Sequence, residues 1–301
     1  MNDATTAEPP LGPLSRDRTA LLVMLCLAAV YLIWGSTYLA IRVALESYAP
    51  FQMAAIRFLI AGALLFGWLH WRGHAWPSAR QWRNAAITGV LLLTLGNGLV
   101  CYAEQTVSSG LAAVAVASMP LFAALFAGMY GRWPDRRDAL GLAIGFAGVV
   151  GLNFGGGLLA SPLGALALIA APIAWAFGSV WSRQQDMPVG MMNTAAQMLC
   201  GGLALAIIAG LAGEPLPRTP TLPATLALIY LTVAGSLVAL SAYVWLLGNV
   251  RPALATSYAY VNPPIAVLLG VALLGEPIGG LEVLAMIVIL IGVGLILRAR
   301  K

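Results

Sequence analysis

The chain has 301 residues, of which 60% are hydrophobic and 9% charged, with a mean hydropathy of +0.88. So little polar surface cannot solvate a soluble domain of this size, which excludes a water-soluble globular protein and indicates an integral membrane protein. The 16 basic residues outnumber the 11 acidic ones, but they are spread over short loops rather than gathered with aromatics along one stripe, which argues against nucleic-acid binding.

In chain order, residues 1–18 are polar, rich in Pro, Thr and charge, and are expected to be a disordered tail. A spanning helix needs about 20 mostly apolar residues. Ten such runs follow, at 19–43, 51–71, 85–102, 108–130, 139–154, 162–183, 189–212, 222–247, 252–274 and 279–297, the fifth being the shortest. The first exceeds the roughly 7–15 residues of a signal-peptide core and is expected to stay in the protein. Cys26, Cys101 and Cys200 fall singly inside apolar runs, which fits neither a disulfide framework nor a metal site; they read as packing residues. The pattern calls for no cofactor.

Basic residues on short loops set membrane orientation. A cytoplasmic N-terminus places thirteen of them inside: Arg16 and Arg18, then Arg72, Arg80 and Arg83, then Arg132, Arg136 and Arg137, then Arg183, Arg251, Arg298, Arg300 and Lys301. Only Arg218 falls on an outer loop, while Arg42 and Arg57 lie within helices. Both termini are therefore expected in the cytoplasm.

Two apolar runs carry prolines at matching places. Pro120 interrupts the fourth run, and the pair Pro263 and Pro264 interrupts the ninth, 143 positions later. The same shift sets Trp133-Pro134 on Glu276-Pro277, Ala112 on Ala255, and the glycine-bearing fifth run (Gly141, Gly145, Gly148, Gly151) on the tenth. Trp34-Gly35-Ser36-Thr37 lies 141 positions before the similar cluster Trp175-Ala176-Phe177-Gly178. The organisation read from this is a first five-helix repeat at 19–154, a Gly-rich linker at 155–161 and a second repeat at 162–298. Five is odd, so the copies enter the bilayer from opposite sides and are inverted. Matching proline-interrupted segments in two halves point to a transporter's binding site.

At these residues the chain resembles the EamA-type members of the drug/metabolite transporter superfamily. The resemblance rests on Trp34-Gly35-Ser36-Thr37-Tyr38, Ala55-Ile56-Arg57-Phe58, Met119-Pro120-Leu121, and Gly275-Glu276-Pro277 ahead of a glycine-containing last run, and covers about residues 30 to 297. One departure is Gly131-Arg132-Trp133-Pro134, where the family usually carries Gly-Glu-x-Pro. The resemblance implies an all-α, ten-helix carrier of the bacterial inner membrane working by alternating access, with YddG-type amino-acid exporters as functional analogues. Outward export is implied by the resemblance alone.

Polar groups inside a bilayer are costly, so each needs an account. Arg57 reads either as an anchor that grips a substrate carboxylate bidentately, or as a structural group paired with a helix end or Glu46, or snorkelling to the interface. Glu104 is the acidic residue nearest a helix interior, at the outer end of the third run; no carboxylate falls near the midplane, which disfavours proton exchange by a central glutamate. Trp34, Tyr38, Tyr102, Trp175, Tyr243, Tyr258 and Tyr260 offer apolar faces with polar tips, suited either to amphiphilic metabolites or to plain packing. Asn97, between two glycines, and Asn262, just before the proline pair, read as ligand contacts or as repair of the broken backbone. Trp68, Trp71, Trp76 and Trp82 read as an interfacial belt, and the glycines of the fifth run as a close-packing face.

The function expected from these residues is a non-enzymatic carrier of small amphiphilic metabolites, amino acids including aromatic ones first, bound between the repeats. The alternatives are an exporter of another metabolite or drug class, or a membrane-embedded enzyme. An enzyme would want His or carboxylates gathered at an interface, and only His70 and His74 exist, with no acidic neighbour in sequence. A channel would need a charge ring or carbonyl filter that the chain lacks. The expected partners are the small-molecule substrate and membrane lipid.

Overall fold

A computed structural model describes residues 16–107, 109–152, 162–217, 219–274 and 280–298. The linker at 155–161 and the Gly275-Glu276-Pro277 motif lie outside the described residues, among which every element is helical. Helices α1 (Arg16–Ala44) and α2 (Pro50–Trp71) are followed by a third run built from α3 (Ala79–Gly89), a π-helical stretch (Val90–Gly98) and α4 (Leu99–Ala103). Then come α5 (Ser109–Val116), α6 (Met119–Met129), α7 (Arg136–Leu152), α8 (Pro162–Ser182) and α9 (Met191–Leu211). The eighth run repeats the plan of the third, with α10 (Leu222–Tyr230), a π-helical stretch (Leu231–Leu240) and α11 (Ser241–Asn249). Helices α12 (Pro252–Thr256), α13 (Tyr258–Leu274) and α14 (Gly280–Arg298) complete the chain.

The helix starts follow from local chemistry. Pro50 opens α2, where its missing N–H is an orphan in any case. The Glu214 carboxylate accepts from the next two N–H groups, Phe51 at 3.2 Å and Gln52 at 2.7 Å. Ser78 and Gln81 close a reciprocal capping box at α3. Thr221 caps α10 through the N–H of Ala224.

Six helical stretches are long and apolar enough to cross a membrane: Arg18–Ala44, Pro50–Trp71, Ala79–Ala103, Pro162–Ser182, Met191–Leu211 and Leu222–Asn249. The other apolar runs are shorter or broken. The fourth is interrupted at Ala117 and Ser118, so that Pro120 sits in the first turn of α6, and the ninth is interrupted at Ser257. Pro263 and Pro264 are therefore not where the chain breaks; α13 continues through them. Each proline instead strips the helical donor from the carbonyl four residues earlier, at Ala259 and Tyr260.

Local geometry recurs at one spacing. The two π-helical stretches start 141 positions apart. Helices α2 and α9 end alike: Gly73 and Gly213, 140 positions apart, adopt φ of 81° and 66°. The following N–H groups bond back to Leu69 and Ala209 in the same pattern. Arg42 and Arg183, also 141 apart, each donate to the backbone carbonyl of a C-terminal helix cap, Glu104 at 3.5 Å and Val250 at 2.8 Å.

Packing repeats as well. Helix α7 lies along α14, α2 along α9, α1 along α13 and the second π stretch, and α8 along α6 and the first π stretch. The α7–α14 crossing is close enough that a Cβ on Gly292 would lie 2.5 Å from the Gly145 nitrogen, and one on Gly141 would lie 2.7 Å from the Gly292 oxygen. This is the close-packing role expected of the fifth run's glycines. Large apolar side chains on the outer faces, such as Leu25, Leu32, Leu203, Ile207, Ile287 and Leu290, remain exposed, as helices solvated by lipid require.

Candidate functional site

A cavity of about 50 Å³ lies where α1, α8, α13 and the first π stretch converge. Helix α1 contributes Trp34, Thr37, Tyr38 and Ile41; α2 contributes Arg57; the third run contributes Gly96, Asn97 and Val100. Val116, Met119, Ala171, Pro172, Trp175, Tyr258 and Asn262 complete the lining. One water needs about 10–15 Å³ of such space. The cavity as it stands therefore holds a few waters, and its walls must part to admit an organic solute.

Trp34, Trp175 and Tyr258 form its aromatic side, with Tyr243 packed behind them. Trp34 meets Trp175 edge-on at 5.5 Å, Tyr258 at 4.7 Å and Tyr243 at 5.2 Å between ring centroids. Tyr243 also meets Trp175 at 5.8 Å and Tyr258 at 5.5 Å. Trp34 is fixed by its Nε1–H, which donates to the Gly235 carbonyl at 3.0 Å, and the Tyr243 hydroxyl is 2.7 Å from Ser179 Oγ. Edge-to-face rings of this kind hold one another in defined orientations. A Cβ at Gly96 would lie 2.5 Å from Trp175 Cε3, so glycine is what lets the indole reach the cavity wall.

Arg57 is the one charged group of the lining. It is 2% exposed, so it does not snorkel, and it forms no ion pair with Glu46. Its Nε donates to Ser236 Oγ at 3.1 Å, the guanidinium carbon lies 4.5 Å from the Phe58 ring centroid, and Nη1 has no hydrogen-bond partner. Asn262 carries a buried amide oxygen without a partner, while the Asn97 oxygen accepts weakly from Cys101 Sγ at 3.5 Å. The cavity thus combines aromatic walls, a cation with an open donor and an open acceptor. Among the described residues no group of three His, Cys, Asp or Glu is placed to hold a metal.

Of the sequence-selected residues, Trp34, Tyr38, Arg57, Asn97, Trp175, Tyr258 and Asn262 come together here. The other three do not line the cavity. Tyr243 is fully buried behind Trp34 and Trp175; Tyr102 stacks on Phe51 at 5.8 Å; Tyr260 turns towards α7 and donates to the Leu142 carbonyl at 3.0 Å. Pro120, Pro263 and Pro264 border the cavity through Met119 and Asn262 rather than lining it themselves. Thr37, Ile41, Gly96, Val100, Val116, Ala171 and Pro172 were not foreseen. Pro172, inside α8, carried a signal of the same kind as the selected prolines.

A second cavity, of about 320 Å³, opens near the ends of α6, α7 and α11. Arg132, Arg183, Arg251 and Asp138 face it. Arg251 is ion-paired with Asp138 through Nη1 and donates from Nη2 to the Ile296 carbonyl at 2.8 Å, tying α7 and α14 to the start of α12.

The chain matches the EamA-like transporter family at residues 21–154 and again at 162–298. It is 48% identical over 282 residues to the Escherichia coli K12 protein named "Uncharacterized inner membrane transporter YedA", covering 93% of this chain and 92% of that one. It is 27% identical to the "Uncharacterized transporter YvbV" of Bacillus subtilis, covering 88% and 87%, and 27% identical to "Protein PecM" of Dickeya dadantii, covering 85% and 86%. A solved crystal structure of 21% identity superposes with a TM-score of 0.75 over 94% of this chain and 99% of its own, a likeness of fold. The chain belongs to the EamA-like transporter family, within the drug/metabolite transporter superfamily.

Proposed function

We propose that the chain is an inner-membrane carrier of small amphiphilic carboxylates, amino acids including aromatic ones first, which it exports by alternating access with broad specificity. The observation that carries this reading is Arg57: a buried guanidinium with no anionic partner, set in the wall of a central cavity beside an aromatic cage. A buried charge left unpaired costs several kcal/mol, and a carboxylate entering the cavity would offset that cost. The guanidinium's fork suits a carboxylate, and the open Asn262 oxygen suits the ammonium of an amino acid. The apolar rings discriminate weakly, because one methylene in such a wall is worth about 1–3 kcal/mol.

The architecture that goes with this function is ten spans in two inverted repeats, 19–154 and 162–298, joined by the linker at 155–161 and preceded by the tail at 1–18, with both termini cytoplasmic. The double family match supports it, as do the paired π stretches, the paired arginine-to-cap bonds and the paired helix contacts. Helix pairs of this kind can rock about the cavity and open it to one side at a time. The test is counterflow in proteoliposomes, with amino acids and their decarboxylated amines as competitors of a labelled aromatic amino acid. Amino acids are expected to compete and amines to fail; amines that compete equally overturn the carboxylate reading. Recovery of chemically altered solute would point to an enzyme instead.

A further inference from the structure

Outside the central cavity, one buried carboxyl among the described residues has no hydrogen-bond partner on either oxygen. Glu104 caps the C-terminus of α4, is 1% exposed, and neither of its carboxyl oxygens has a hydrogen-bond partner. The other buried carboxylate among the described residues, Asp138, is paired with Arg251. Val100, one turn earlier on the same helix, and Tyr38 on α1 line the cavity, whereas Gln105 and Thr106 are exposed. Glu104 therefore sits in the short plug between the cavity and the end of the third run.

Among the described residues Glu104 makes no ion pair, and Arg42 is the one cation beside it. Ala103 and Val107 on either side pack in an apolar cluster with Ala112, Ala113, Ala167 and Leu168 of α5 and α8. From α1, Arg42 donates to the backbone carbonyl of Glu104 but makes no ion pair with its carboxylate, and Tyr38 is the other polar neighbour. Cys101 lies one turn away on Glu104's own side of the run, and beyond it Glu214 is occupied by the N–H groups of Phe51 and Gln52. An ionised carboxylate in such a place would cost several kcal/mol that a neutral acid avoids.

We propose that Glu104 is a proton-binding site in the outer gate. With the mouth closed the carboxyl keeps its proton. Opening brings water to it and lets the nearby Arg42 pair with the carboxylate; the O–H bond breaks with its electron pair left on the carboxylate, and the proton passes to water. External acid then favours the closed mouth, up to tenfold per pH unit for a single proton. This inference rests on the orientation and cavity proposed above.

The test needs no transported solute. Because the closed folded protein binds a proton that the unfolded chain releases, the unfolding midpoint of the purified full chain should fall as pH rises above the range where a free glutamate ionises. Glu104→Gln imitates the neutral acid, so its midpoint should match the wild type in acid and stay level where the wild type falls. Parallel profiles for the two proteins overturn the proposal. Dicyclohexylcarbodiimide, which adds to protonated carboxyl groups in apolar settings, gives a second measurement on the unaltered chain. The mass of the peptide holding residue 104 should show the adduct when the reaction is run in acid and not when it is run in alkali, and absence of the adduct at every pH overturns the proposal even if the variant fails to fold. A reporter fused after Lys301, expected to be active only in its cytoplasmic form, tests the orientation separately.

Discussion

Arg57 and Arg251 are arginines that the fold takes out of water in opposite ways. Arg251 is committed, with one nitrogen on Asp138 and another on the Ile296 carbonyl, and it ties three helix ends together. Arg57 has a neutral hydroxyl on Nε, nothing on Nη1, and a cavity in front of it. A paired buried charge belongs to the structure, and its loss strands the partner. An unpaired one burdens the structure and is relieved only by what binds to it.

The largest effect that separates the two is expected at Arg57. Replacing it by Gln should cut counterflow of carboxylated solutes about 100-fold or more, in the range seen when one partner of a buried charge pair is removed, while the unfolding midpoint holds or rises. Lys should restore part of the transport, as a point charge without the fork. A midpoint that falls together with transport would make Arg57 a second Arg251 and end the comparison.

Asp138→Asn should act the other way. It leaves the Arg251 charge unpaired and should lower stability by about 1–3 kcal/mol, below the full value for a buried pair because the Arg251 side chain is 20% exposed. Unfolding in detergent measures this, and the competition profile among solutes should be unchanged. A selective loss of one solute class would bring the second cavity into recognition.

The smallest effect sharpens the cavity itself. Gly96→Ala places a methyl 2.5 Å from the Trp175 ring, an overpacking worth about 1–3 kcal/mol that is relieved if the indole moves. Affinity for aromatic amino acids should drop several-fold more than affinity for small ones. An equal drop for both would mean that Trp175 closes the cavity without touching the solute.

Much of this was legible in the chain because lipid imposes simple rules. Apolar runs of spanning length survive translation into sequence pattern, and Trp34, Arg57, Trp175 and Asn262 stood out because polar or amphipathic groups in such runs demand a reason. What stayed hidden was rotation and register. Nothing in the sequence separates Tyr258 from Tyr260, two residues apart on α13, yet one faces the cavity and the other donates to the Leu142 carbonyl. Likewise the chain breaks at Ser257 rather than at Pro263, because two prolines early in a helix cost only two donors and the freed carbonyls lie close to the interruption.

The sequence by itself determined the class, the apolar runs, the internal duplication and the kinds of group available at the centre. It did so because burial in hydrocarbon depends on each residue's own polarity and on spacing along the chain. The tertiary structure alone decided which groups are left unsatisfied. Arg57 donates to Ser236 from a π-helical stretch 179 positions away and leaves Nη1 open, Glu104 meets no donor, and Arg251 meets Asp138 across 113 positions. A hydrogen bond forms or fails within a few tenths of an ångström, and that distance is set by how distant helices pack rather than by anything local to the residue.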